Sequence, residues 1–445
     1  MGTPALEKLL ADGRIFGRSW SGVPDKRVRL ERQTSFVLFG FKIWRSLSGA
    51  KNPRRSELPP DEERIRKENR IESNRDLEGR RWSGRGLPEK DESFGETAKY
   101  VILQPAFASK EDLMVFHTEE YIDFLLNAEA ADPESDEYLE SIARFGLQYD
   151  CPVFNGLSSY VAGVAGGTLE AARALVDGDV DIAIHWDGGR HHAHREQASG
   201  FCYVNDIVLG MSKLQTRFQR ILYLDIDIHH GDGVEGAYLF SPRVYTCSFH
   251  RSGVFFPITG ASTTIGSGKA RYHNLNIPLH RGLRGALFLA CFQQIVQAIC
   301  AVYDPQCIVL QGGADGAAGN LNTPEVDENG RRKEDGEGWK LDPATFGKIV
   351  SFLCNLRSPT VRPLLILGGG GYVNTITARC WAMATAAAIP VELLEDIPEH
   401  ALWTEYCNEA PLGLASDENP KYIDDIMKTA LESIRRLAEL KGIQL

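Results

Sequence analysis

RILYLDIDIHHGDG, residues 220–233, passes from continuous apolar side chains into acids, imidazoles and glycines with nothing between them. The apolar part reads as a strand buried on both faces, because a strand with one wet face would alternate. Four further runs share this character: VDIAIHW (180–186), RVYTCSFH (243–250), CIVLQGG (307–313) and VRPLLILGGGG (361–371). YVILQPAF (100–107) is another strand candidate. Segments of helical length, such as 283–303 and 342–355, separate the runs. That succession predicts an α/β fold with a mostly parallel sheet and helical crossovers. Polar groups gather where the runs end, at the edge of an open α/β sheet where ligand sites form.

The chain has 445 residues, 43% of them hydrophobic, which allows one large domain or two or three smaller ones. Its net charge of −11, from 49 basic and 60 acidic residues, argues against a general polyanion binder and suits a basic partner. No basic stripe with aromatic platforms lies near the strand ends, which speaks against nucleic-acid binding. Nine cysteines form no CxxC pair, as expected in a reducing compartment. No run reads as a signal peptide or a membrane span, so an intracellular, soluble protein is expected.

Residues 1–99 differ from the rest. The stretch 51–92 is highly charged and broken by Pro and Gly, and reads as disordered or loosely attached. Before it, TSFVLFGFKIW (34–44) suits either a strand or a piece of buried helix. EDLMVFHTEEYIDFLLNAE (111–129), YVAGVAGGTLEAARALVDG (160–178) and NPKYIDDIMKTALESIRRLAELKG (419–442) read as helices. AAGNLNTPEVDENGRRKEDGEG (317–338) reads as a polar surface loop.

In a strand, residues two apart share a face, so Asp225, Asp227 and His229 are expected to point the same way. Carboxylates and an imidazole at that spacing can close around one divalent ion and leave room for water and a carbonyl. A further ligand must come from elsewhere, and Asp315, after the glycine pair of CIVLQGGAD, is the candidate. Taken alone, an Asp there would more often be a turn residue.

HWDGGRHHAH (185–194) delivers adjacent imidazoles at His191 and His192. Metal-assisted amide hydrolysis needs a base for water and an acid for the departing amine. Asp225 and Asp232 remain to orient the pair if Asp227, His229 and Asp315 hold the metal. His230 and His250 read as structural or supporting groups, and His185 and His194 are given no catalytic role. GGGGY (368–372) allows a tight turn that returns Tyr372 toward the reaction centre as an oxyanion donor. It lacks the Lys-Ser/Thr ending of a phosphate loop. Phe201 and Phe256 could wall a slot for an alkyl chain, with Cys202 as lining.

GGRHHAHREQASGFCYVNDIVLG (188–210), LDIDIHHGDGVE (224–235), SFHRSGVFFPITG (248–260), LQGGAD (310–315) and GGGGY…ARCW (368–381) together resemble the class I histone deacetylases, over about residues 100–400. The resemblance implies the arginase–deacetylase fold, a single-domain three-layer αβα sandwich around a mostly parallel sheet of about eight strands. It implies hydrolysis of N6-acetyl-lysine in histones or other proteins, with Asp227, His229 and Asp315 as zinc ligands. His191 and His192 match the tandem histidines, Asp225 and Asp232 their carboxylate partners, and Tyr372 the carbonyl-polarising tyrosine. Asp150 matches the rim acid that holds the substrate backbone, and Gly200, Phe201 and Phe256 fall in the substrate-binding tunnel. A potassium site is implied at Asp225, Asp227, His229, Ser248 and Phe249.

On this resemblance, residues 1–99 form a divergent amino-terminal region and 100–400 the catalytic domain. Residues 321–338 are a charged insertion at the tunnel rim, and 401–445 a helical segment packing on or extending the domain. The family's helix with an arginine near the foot of the cavity is not recognisable in 1–99, and neither Arg27 nor Arg32 is assigned to it. Ile258 replaces the family glycine after Phe-Phe-Pro. Thr375 stands where members bridged to corepressors by inositol phosphate carry a basic residue, which disfavours that mode of assembly. The expected location is the nucleus, with the cytoplasm as a second compartment, and the expected role is chromatin regulation and transcriptional repression. Two other readings compete: a deacetylase of small amines such as polyamines, and a non-catalytic chromatin scaffold.

Overall fold

Each apolar run singled out above contributes a strand, and the one from 243–250 is as long as its run. The structure, a computed structural model, describes residues 35–38, 99–321, 338–356, 362–389, 391–393, 397, 406 and 419–444. The strands are β1 Ser35–Leu38, β2 Lys99–Ile102, β3 Ile182–His185, β4 Ile221–Asp225, β5 Val244–Arg251, β6 Asn274–Leu279, β7 Cys307–Gln311 and β8 Leu364–Leu367. They form one eight-stranded sheet in the order β2-β1-β3-β8-β7-β4-β5-β6, with every pairing parallel. The run at 34–44, open between strand and helix from sequence, thus supplies β1, paired with β2 on one side and β3 on the other. The charged stretch 51–92 and most of the insertion, 322–337, lie outside the described residues.

The helices are α1 Lys110–Leu113, α2 Glu119–Asn127, α3 Asp136–Arg144, α4 Leu157–Asp177, α5 Asp206–Leu214, α6 Asp232–Tyr238, α7 Gly285–Tyr303, α8 Pro343–Asn355, α9 Asn374–Ala388 and α10 Pro420–Leu440. Alternate strand residues show that the sheet is covered on both faces. Ile182, Ile184, Leu222, Leu224, Ile308, Leu310, Leu364 and Ile366 pack with residues of α7, α8, α9 and α10. Their neighbours Ala183, Tyr223, Val309, Leu365 and Leu367 pack with α4, α5 and α6. Because strand side chains alternate, two distinct cores on one sheet mean three layers.

Three departures from the sequence expectations have physical causes. The helix expected at 111–129 is split into α1 and α2, because His117 is pulled out of it. Its Nδ1 donates to the Arg195 carbonyl at 3.1 Å and its Nε2 accepts from the Asn205 N–H at 3.0 Å. Strand β6 was not anticipated, since Asn274, Asn276 and Pro278 interrupt its apolar pattern. It is an edge strand, where Pro is tolerated, and both Asn amides donate to Glu235 Oε2, at 2.8 and 2.6 Å. Finally, α7 is long and apolar enough by composition to cross a membrane, contrary to the expectation that no stretch would be. In the fold, Phe288, Phe292, Ile295 and Ile299 of α7 are buried in the core.

Candidate active site

The strand order places the site. From β4 the chain moves outward through β5 to β6, then returns to β7 on the other side of β4 and continues to β8. The connections therefore diverge between β4 and β7, which opens a crevice at their carboxyl ends. Asp227 follows β4 and Asp315 follows β7, so the two acids face each other across that crevice. Their neighbours supply the rest: His191 and His192 follow β3, Phe256 follows β5 and Tyr372 follows β8.

Asp227, His229 and Asp315 offer one ligand atom each, all within 4.8 Å of one another. Strand β4 stops at Asp225, so the expected shared strand face does not exist. Ile226 and Ile228 are buried in the core instead, and the bends at 227–229 turn Asp227 and His229 toward Asp315. The Asp225 carboxylate is engaged elsewhere: its Oδ2 lies 2.8 Å from His191 Nδ1 and accepts from the Tyr223 hydroxyl at 2.6 Å.

Each acid of the trio is oriented by donors. Asp227 Oδ2 accepts from the Gln311 amide at 2.9 Å and the Gly370 N–H at 2.8 Å, and Asp315 Oδ1 from the Ile228 N–H at 2.9 Å. A Cβ on Gly313 would lie 2.1 Å from Asp227 Oδ2, and one on Gly370 2.2 Å from Asp315 Oδ2, so only glycine lets the backbone close this cradle. His229 Nδ1 sits 3.1 Å from Asp227 Oδ1 and 2.9 Å from Asp315 Oδ2. Burial opposes charge on this imidazole, yet hydrogen bonds to the two carboxylates hold its pKa up to about 10. Burial and then the Asp227 charge raise Asp315, whereas Asp227 stays low against its own burial because His191 and His229 face it. Two buried carboxylates thus meet at one imidazole, where a cation would complete the charge balance. Two oxygens and one imidazole nitrogen fit a zinc ion.

The tandem histidines differ from each other. His191 Nε2 lies 3.8 Å from Asp227 Oδ2; burial disfavours its charge, but Asp225 and Asp227 raise its pKa to about 9. His192 Nδ1 is 2.7 Å from Asp232 Oδ1, while burial and then the charge on His191 lower its pKa to about 3. A carboxylate can only accept, so Nδ1 carries the proton and Nε2 of His192 is a free base. Asp232 is held below the usual carboxylate range despite its burial, because His192 and His194 donate to it. His194, given no role from sequence, thus shares this acid, with Nε2 3.3 Å from Asp232 Oδ2. His185 is a buried neutral group beside the Thr168 hydroxyl at 2.9 Å. His230 lies against Thr259 and Glu235, and His250 against Ser248 and the Gly260 carbonyl.

The aromatic pieces each pack against a different residue of the site. Phe256 packs edge-on to His192 with ring centroids 4.9 Å apart, and Phe201 lies 6.1 Å from the Tyr372 ring. Phe201 and Phe256 remain 46% and 42% exposed. Asp150 Oδ2 accepts from the Gly200 N–H at 2.8 Å, which ties Asp150 to the loop that carries Phe201. Cys202 is buried and burial pushes its thiol pKa up, which suits lining and not a nucleophile. Asp225 and Ser248 are opposed in the β4–β5 register, while the Phe249 side chain belongs to the core.

Sequence reasoning missed two supports. Gln311 is fully buried, and besides Asp227 it contacts Gly189 O at 3.3 Å and the Gly313 N–H at 2.9 Å. Asn320 lies in the stretch read as a surface loop, yet residues 316–318 and 320 are buried, and Asn320 Oδ1 accepts from the Tyr372 N–H at 3.0 Å. The signal for Gln311 was a polar residue ending an apolar run. Asn320 had none, since it follows Ala, Ala and Gly and opens a long polar stretch with no periodicity.

The profile of the histone deacetylase domain matches residues 87–388. Histone deacetylase 8 of Danio rerio is 39% identical over 330 residues, 74% of this chain and 82% of that protein. Histone deacetylase 8 of Xenopus laevis is 38% identical over 343 residues, 76% of this chain and 99% of that protein. Histone deacetylase 6 of Arabidopsis thaliana is 38% identical over 348 residues, 77% of this chain and 70% of that protein. With that similarity laid over a parallel αβα sandwich and its crevice of acids and imidazoles, the chain belongs to the histone deacetylase family, in a class I-like form, and is a lysine deacetylase.

Proposed function

We propose that this enzyme hydrolyses N6-acetyl-lysine in histones or other acetylated proteins, with one zinc ion held by Asp227, His229 and Asp315. The convergence of those three side chains in one glycine-lined crevice carries the reading. Zinc bound there supplies a Lewis acid for the amide carbonyl and lowers the pKa of water. Gly200, Phe201 and Phe256 guide the alkyl chain of the lysine, and Asp150 at the rim fixes the peptide backbone. His192, neutral and fixed by Asp232, takes the proton of the attacking water at Nε2. His191, charged beside Asp225, is the proton donor for the leaving amine. Tyr372 donates its phenol hydrogen to the developing oxyanion.

Potassium near Asp225, Asp227, His229, Ser248 and Phe249 would strengthen the strand end that carries two of the ligands. A nuclear location, with action on acetylated histone tails in transcriptional repression, fits the net charge of −11 and a basic partner. Thr375 offers no charge for an inositol phosphate, so assembly into a corepressor complex would proceed by other contacts.

The test is release of acetate from acetylated histone peptides and from acetylpolyamines by zinc-loaded protein, beside Tyr372→Phe. Peptides are the expected substrates. The hydrogen bonds that fix Tyr372 run through its backbone N–H, so the variant keeps its fold while kcat drops about 100- to 1000-fold. Turnover of acetylpolyamines alone would reassign the substrate, and no turnover of either would refute the reading.

A further inference from the structure

We propose that Asn320 is a positioning residue, whose side-chain amide sets Tyr372 against the loop of the ligand Asp315; this rests on the deacetylase reading above. Asn320 is fully buried at the end of the turn Ala317–Asn320. Its Oδ1 accepts from the N–H groups of Tyr372 at 3.0 Å and Val373 at 2.7 Å. Its Nδ2 donates to the Ala314 carbonyl at 2.8 Å and to the Thr377 hydroxyl at 3.1 Å. Two acceptor and two donor positions are thereby all used, which leaves none for a substrate. Two N–H groups facing one atom and a carbonyl facing the other also leave a single orientation for the amide.

The backbone partners lie in the two loops that must keep register during the reaction, and Thr377 in the helix α9 that follows the second. Ala314 immediately precedes Asp315, and its N–H donates to Gly370 O at 2.7 Å. Tyr372 follows two residues after Gly370, and its N–H also approaches Asn320 O at 3.3 Å. The Asn320 amide therefore spans from the backbone beside a metal ligand to the backbone of the oxyanion donor. Aspartate has the same shape and keeps both acceptors, but it places an oxygen without hydrogen 2.8 Å from the Ala314 carbonyl. The two oxygens repel, and the loops must part. Alanine removes all of these bonds at once, together with the 3.3 Å contact of the Thr377 hydroxyl to Oδ1.

The test is a double-mutant cycle on the zinc-loaded full chain, with Asn320→Asp and Asn320→Ala made in wild-type and in Tyr372→Phe protein. A displacement of about 1 Å at a reacting group costs on the order of 100-fold. In the wild-type background, kcat should fall roughly 100-fold for alanine and about 10-fold for aspartate, with KM little changed and one zinc retained. In the Tyr372→Phe background the same substitutions should cost less than about threefold, because the group they position is gone. Equal losses in both backgrounds, or wild-type kcat in the alanine variant, would overturn the assignment while leaving the deacetylase reading intact. A wild-type protein inactive on acetyl-lysine peptides would overturn both. If the alanine variant does not fold, the aspartate variant alone decides between the equal and unequal losses.

Discussion

Replacing Gly370 with alanine probes the acid cradle at a tight point. The added Cβ would stand 2.2 Å from Asp315 Oδ2 and 3.0 Å from Asp227 Oδ2, where ordinary contact begins at 3.4 Å. The Asp315 carboxylate would have to retreat by about 1.2 Å. Metal–ligand distances tolerate only about 0.2 Å, so Asp315 ceases to be a ligand. Gly370 is not among the glycines with positive φ, so alanine is allowed by the backbone and the effect comes from the contact. Losing a partner outside the ligand set typically costs 10- to 100-fold in metal affinity, and displacing a ligand should cost at least about 100-fold. Protein equilibrated at defined free zinc, followed by metal analysis and acetate release, measures this directly. Metal-free wild-type and variant proteins should melt alike and give the same far-ultraviolet dichroism. A variant that binds one zinc with wild-type affinity and turns over normally would refute the cradle argument.

Asp232→Asn should lower kcat about 100- to 10,000-fold with KM little changed, because an amide can donate to His192 Nδ1 and so move the proton to Nε2, abolishing the base; unchanged steady-state kinetics would show that Asp232 does not set the tautomer. Acid should destabilise the metal-free protein through His117, His185 and His250, whose pKa values burial chiefly pushes down to about 4, about 3 and about 3. Unfolded histidine titrates near 6.5, so from about pH 6.5 down to about pH 4 the unfolded chain binds protons that the folded one refuses, and stability falls by roughly 1.4 kcal/mol per pH unit for each. Urea midpoints across that window measure the slope, and a flat profile would mean that these imidazoles charge freely in the fold.

The parallel sheet was legible because β3, β4, β7 and β8 are wholly buried and apolar except for the polar residue that ends each of the first three. β6 was not, since its two asparagines serve Glu235 and its proline is tolerated only at an edge. For the site, sequence reasoning named Asp227, His229 and Asp315 as ligands but gave a wrong reason for their convergence. Asp227 and His229 come together because two isoleucines between and before them sink into the core, after the strand has ended. Gln311 and Asn320 were missed for a different cause. Each acts through hydrogen bonds to backbone or carboxylate groups far along the chain, and no local periodicity records such partners.

Burying Asp225, Asp227 and Asp315 together would be prohibitive in an apolar core, because each charge loses its hydration. The fold offsets this cost in two steps. Donors come first: Gln311 and Gly370 for Asp227, Ile228 for Asp315, and Tyr223 with His191 for Asp225. Those donors satisfy lone pairs but do not neutralise charge, and the remaining imbalance appears as raised pKa values at His191 and His229. The proposed zinc would displace the proton that His229 holds between the two acids, at the crevice where β4 and β7 diverge. Glycine at 313 and 370 then follows from geometry, since any side chain there would occupy the space the acids need to meet the ion. On this account the glycine run after β8 serves the metal as much as it serves Tyr372, and the two roles separate experimentally: Gly370→Ala should lose zinc, whereas Tyr372→Phe should keep it.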